Sequence, residues 1–206
     1  MMLTDTFLQL VGNYVKDHER ANNLWLEIFT KYSDPKRHYH TIDHLENIFS
    51  DLKEVRKSIT DWDSVSFAVF YHDVIYKASA NANEEDSAKL AVKRLTEIDF
   101  PTEKNAKVSA MILATKLHQP SEDNDTDFLT DADLAILGKT PYEYQLYSEN
   151  VRKEYTIYPD FMYTPGRKKV LQHFLDMERI FKTDHFFNKY EKQARLNLAN
   201  ELQELQ

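Results

Sequence analysis

Residues 67–76 read Phe-Ala-Val-Phe-Tyr-His-Asp-Val-Ile-Tyr. Val65, Ala68, Val69 and His72 recur at i, i+3, i+4 and i+7. That spacing predicts a helix over about 62–75 with His72 on the face that enters the core. Asp is almost never fully buried without a partner, and a buried imidazole also needs one. A His-Asp pair directed inward therefore calls for a cation. The same test applied along the chain finds His44, at the edge of the stripe of Ile48, Leu52 and Val55. It also finds Asp133, which shares a face with Leu129, Ala132 and Ile136. Asp131 lies about 200° round the helix from Asp133 and is not expected to serve the same ion. Two imidazoles and two carboxylates from three helices, His44, His72, Asp73 and Asp133, suit a divalent transition metal. Positions would remain for water and substrate. The competing reading makes them a hydrogen-bonded core histidine, a helix-end carboxylate and a first-turn aspartate.

The rest of the composition agrees with a helical fold. Three glycines in 206 residues leave too few turn residues for a β-rich chain, and 12 Tyr with 12 Phe provide core material. A chain of this length buries about 70% of its unfolded surface as one domain. The absence of cysteine excludes disulfides, thiolate zinc sites and a cysteine nucleophile. Residues 1–20 lack the basic start and apolar run of a signal peptide, and no stretch approaches the ~18 apolar residues of a membrane span. A soluble, cytoplasmic protein without membrane contact is expected. The net charge of −8 argues against a nucleic-acid coat but allows a small anionic substrate where cations gather locally.

The periodicity predicts an all-α domain over residues 1–206 with about nine helices and no strand. Segments of about 4–17, 20–33, 62–75, 84–98, 103–118, 165–181 and 186–205 are helical by pattern. Thr41 is the expected N-cap of a helix carrying Leu45, Ile48, Phe49 and Leu52. A compact helix from about 127 ends at Gly138, a residue type suited to the left-handed C′ position. Pro141 opens a tyrosine-rich helix. The basic run Arg167, Lys168 and Lys169 reads as a solvated face.

The ordered elements RHYHTIDH (37–44), FYHDVIY (70–76), NEEDSA (83–88), ILATKLH (112–118) and FLTDADLAILG (128–138) resemble the HD-domain metal-dependent phosphohydrolase superfamily. Within it they are most similar to a group of small predicted bacterial hydrolases. The resemblance covers about residues 37–155 and implies an HD-type helical bundle; helices of about 160–206, which carry no motif of the superfamily, are expected to pack on its metal-site core. It implies His44, His72, Asp73 and Asp133 as ligands of a divalent ion (Mn, Mg, Co, Fe, Ni or Zn). Motifs marking the superfamily's guanosine-tetraphosphate hydrolases and cyclic-dinucleotide phosphodiesterases are missing.

A metal-activated water attacking a small phosphate ester or nucleotide is the chemistry such a site suggests, with Asp73 orienting the water and taking its proton. His118 ends a helix whose Met111, Ala114 and Thr115 point the same way, and the resemblance implies that it contacts phosphate or a second metal. Glu84 is either a further acidic group at the site or a favourable first-turn residue. Arg37, His38, His40, Lys116 and Arg152 are candidate substrate clamps or ordinary surface and loop residues. Two other classes remain open. One is an HD-fold di-iron oxygenase, with His40 and His118 as extra ligands; the other is a metal-stabilised binding module without turnover.

Overall fold

In the computed structural model, which describes residues 2–205, ten α-helices and two short 3-10 turns account for all regular structure among those residues. The helices are α1 (Leu3–Gly12), α2 (His18–Tyr32), α3 (Ile42–Glu54), α4 (Trp62–Tyr71) and α5 (Asn83–Glu97). They continue with α6 (Thr102–Ala114), α7 (Asn124–Leu134), α8 (Pro141–Glu154), α9 (Asp160–Asp176) and α10 (Asp184–Glu204). The 3-10 turns lie at Arg56–Ser58 and Ala135–Gly138. Among the described residues no helix is long and apolar enough to cross a membrane.

One hydrophobic core links these elements. Helix α4 is its axis: every residue from Ser64 to Tyr71 is buried, and α3, α5, α6 and α7 pack round it. Phe7 of α1 meets Phe70 edge to face, with ring centres 4.9 Å apart, and Phe49 of α3 lies at the same distance. Such aromatic pairs contribute about 0.5–1.5 kcal/mol beyond simple burial.

Several boundaries differ from the sequence pattern: α1 stops at Gly12, not about 17, and α6 at Ala114, not about 118. The pattern carries α4 through to residue 75, yet the helix ends at Tyr71 and His72 is its C-cap. Beyond it the backbone finds partners outside the helix. Arg37 donates to the carbonyls of Asp73 and Val74, and Ile75 N–H donates to Ser87 Oγ. Those bonds satisfy the groups that would otherwise continue the α-helical ladder. Helix α9 begins at Asp160, five residues before Pro165, which lies inside it. Gly138 does not adopt a left-handed conformation. A Cβ there would lie 2.5 Å from Tyr190 Cβ, so glycine is required by the close approach of α10.

The C-terminal helices are part of the same core. Helix α10 packs against the 3-10 turn at 135–138 and against α9. Arg167 is buried, contrary to the solvated face expected for its basic run, and is held by Glu201 through both Nε (2.7 Å) and Nη2 (2.8 Å). Tyr144 and Ser148 of α8 donate to the same carboxylate, which joins α8, α9 and α10. Helix α8 starts with a complete capping box between Thr140 and Glu143, behind Pro141.

Candidate metal centre

His44 stands in the first turn of α3, His72 caps α4 and Asp133 lies near the end of α7. The three elements meet so that one ligand atom from each residue lies within 4.8 Å of the other two. His44 Nε2 is 3.2 Å from His72 Nε2 and 3.1 Å from Asp133 Oδ1, and the third separation is 3.6 Å. Metal–ligand bonds of about 2.1 Å give neighbouring ligands about 3.0 Å apart in an octahedron and about 3.4 Å apart in a tetrahedron. Two sides of the triangle fall in that range and the third exceeds it by about 0.2 Å. Asp73 flanks it, with Oδ2 3.2 Å from His72 Nε2 and 4.0 Å from His44 Nε2.

The hydrogen bonds support the fit. His72 Nδ1 lies 2.9 Å from the Val69 carbonyl, an acceptor, so Nδ1 carries a proton. In the neutral ring Nε2 then presents a lone pair towards His44 Nε2. Two imidazole nitrogens facing each other at this distance need one proton or one cation between them. A carbonyl on the far nitrogen is also the arrangement that orients metal-binding histidines. Burial depresses the protonation of His44 below its ordinary value. Burial opposes protonation of His72 too, but the Asp73 carboxylate beside it prevails and raises it to about 9. Burial would push Asp73 and Asp133 up, yet both are held well below the usual carboxylate range. The charges of His72 and His40 act on Asp73, and hydrogen bonds from His118 and His44 act on Asp133. This is the electrostatics of a site that prefers positive charge at its centre.

His118 and His40 flank the triangle. His118 has φ 52°, in the left-handed region that non-glycine residues enter at a cost. Its Nε2 lies 2.9 Å from Asp133 Oδ2. His40 stacks on Tyr76 with centres 4.2 Å apart, and its Nε2 is 3.8 Å from Asp73 Oδ2. His40 Nδ1 lies 2.6 Å from Glu154 Oε2. Glu154 is a site residue that the sequence reading did not single out. Its Oε1 accepts the N–H groups of His38, Tyr39 and His40, and its Oε2 also accepts the Tyr76 hydroxyl. Although burial opposes ionisation, the His40 ring and these donors lower Glu154 to about 2. The signal was present: Tyr144, Tyr147, Val151 and Glu154 follow helical spacing on one face of α8.

A cavity of about 690 Å³ opens over the cluster. His40, Asp73, His118 and Asp133 line its polar end, while Glu84, Thr115 and Lys116 form one wall. Tyr76, Tyr147, Tyr155, Tyr158, Tyr163 and Arg167 line the rest with several aliphatic groups. Of the expected substrate clamps, His40 and Lys116 reach this cavity and Arg37 and Arg152 do not line it. Arg37 is buried, bonds to the carbonyls of His40, Asp73 and Val74, and lies over the Tyr32 ring. Arg152 ties the α8–α9 connection through Asp160 and the carbonyls of Tyr155 and Tyr158. Lys116 binds Glu85 and the Asn81 carbonyl, with Glu84 3.7 Å away. His38 lies outside this cavity, beside two other depressions.

Asp131 faces away from the cluster and is fully buried. It accepts Lys182 N–H (2.9 Å), Thr183 N–H (2.8 Å) and Thr183 Oγ1–H (2.7 Å) at the start of α10.

No family model, curated protein or solved structure matches the chain.

Proposed function

We propose that this protein is a divalent-metal-dependent phosphoester hydrolase of the HD-domain type, acting on a small phosphate ester or nucleotide. The observation that carries the proposal is the triangle of His44 Nε2, His72 Nε2 and Asp133 Oδ1. It is close to metal-ligand dimensions, and its Asp133, with the flanking Asp73, lines a cavity with room for a substrate. A divalent ion held by these residues and Asp73 supplies a bound water of lowered pKa and polarises a phosphoryl oxygen.

The chain's own groups divide the remaining work. Asp73 faces the cavity beside His72 and takes the proton of the attacking water. His118 fixes Asp133 by bonding the carboxylate oxygen that is turned away from His44. Glu154 fixes His40, whose Nε2 is on the Asp73 side and meets a phosphate oxygen of the substrate. Lys116 and Glu84 shape the charge of the cavity wall. Arg37 and Arg152 act on the backbone around the site and do not contact the substrate.

The test is elemental analysis of protein purified without chelator, followed by phosphate-ester assays with and without added Mn²⁺, Co²⁺ or Mg²⁺. One ion per chain and turnover that stops with chelator are the expected results. Turnover by metal-stripped protein in chelator refutes the mechanism.

One observation favours a second reading, the di-iron oxygenase. Asp133 offers Oδ1 to His44 and Oδ2 to His118, as a carboxylate bridging two ions does. That reading requires two irons per chain, the loss of one in His118→Ala, and oxygen consumption. On the hydrolase reading His118→Ala keeps a single site and weakens it about tenfold to hundredfold, the usual effect of removing a group that orients a ligand.

A further inference from the structure

The cavity has two chemically different ends. At one lie the imidazoles and carboxylates of the cluster; at the other, side chains from residues 147–163 present aromatic rings. Tyr155 is 5.8 Å from Tyr163 and 6.3 Å from Tyr158, centre to centre. Tyr147, braced edge to face against Tyr39 at 4.6 Å, completes the wall. These rings come from the middle and C-cap of α8, the connection after it and the first turn of α9. A volume of about 690 Å³ is far more than a bare phosphate fills and falls within the range of small-molecule sites. Aromatic walls favour flat rings, through offset or edge-to-face contacts.

The cations are as informative as the rings. Arg167 reaches the cavity, but its guanidinium is engaged with Glu201. Lys116 is engaged with Glu85 and Asn81, and Glu84 adds a negative charge beside it. A second or third phosphate would find Lys116 and Arg167 already paired.

We infer that the tyrosine-lined end is a ring subsite, and that the substrate joins one phosphate to a planar aromatic group. The single phosphate rests on the hydrolase reading, whereas the ring subsite does not.

Benzyl, cyclohexylmethyl and propyl phosphate have alcohol leaving groups of similar acidity, so rate differences among them report the body of the ester. For the Mn²⁺-loaded protein the expected KM for benzyl phosphate is about tenfold below that for propyl phosphate, with cyclohexylmethyl phosphate between. Adenosine monophosphate should exceed the di- and triphosphate in kcat/KM, and its rank against benzyl phosphate shows whether the ring is a nucleobase or a carbocycle. Tyr158→Leu and Tyr163→Leu, made separately, should raise KM for benzyl phosphate with little change in kcat and leave propyl phosphate unaffected. Equal KM values for the three bodies, or variants that shift all three alike, overturn the ring subsite. A preference for the triphosphate overturns the single phosphate. Calorimetric binding of benzylphosphonate and propylphosphonate repeats the comparison without turnover. Selective benzylphosphonate binding with no ester hydrolysed keeps the ring subsite and refutes the hydrolase reading.

Discussion

Asp131 and Asp133 are two residues apart on α7, yet they belong to different regions of the molecule. Asp131 faces the C-terminal helices, where its oxygens accept three fixed donors at the start of α10. Asp133 faces α3 and α4, where it meets imidazoles clustered with a second carboxylate. The same contrast separates the wider regions. On the C-terminal side Asp51 binds Lys139, Lys189 and Tyr190, and Glu201 binds Arg167, Tyr144 and Ser148. These charges are complete within the chain and hold helices together. Under the cavity, two imidazole nitrogens face each other at 3.2 Å and two carboxylates stand beside them. A buried polar group matched by its own chain is architecture; one that faces its own kind is prepared for something from outside.

The largest expected effect breaks the site and spares the scaffold. His72→Ala should lower metal affinity by more than about hundredfold, because removing an orienting partner already costs tenfold to hundredfold. The metal-free variant should stay folded but unfold at lower urea than the metal-free wild type, since Asp73 loses the His72 charge beside it. Full metal content in the variant ends the assignment.

Asp131→Asn is the converse. It should keep metal content and cost about 3 kcal/mol of stability, as a carboxylate matched to three donors becomes an amide whose NH₂ confronts them. If this variant loses the metal while its urea midpoint holds, the division of α7 into two faces is wrong.

A smaller effect lies between the two regions, at Glu154. Its folded-state pKa is about 2 against an ordinary value of 4.5, with burial opposed by His40 and the backbone donors. A carboxylate lowered in this way adds stability that is complete above pH 4.5 and is lost as pH falls towards 2. Glu154→Gln should therefore flatten the pH dependence of unfolding between about pH 5 and pH 2. Equal slopes for variant and wild type across that window would show that Glu154 gains nothing from its ionised state.

Much of this was legible in the chain. Helical periodicity, few glycines and Pro141 determined an all-helical fold, because one apolar stripe per helix is enough to define its buried face. The inward positions of His44, His72 and Asp133, and the outward turn of Asp131 from them, follow from 100° per residue along single helices. What periodicity could not supply was the partner of each face. The end of α4 at Tyr71 depended on Arg37 and Ser87, which lie 36 residues before and 12 residues after the backbone groups they satisfy. Arg167 looked like surface because its countercharge, Glu201, is 34 residues away. Glu154 gained its role only when the 37–40 loop closed onto α8. Local pattern reports which way a side chain points; only the packed chain decides what it meets there, because contacts between distant segments leave no period in either one.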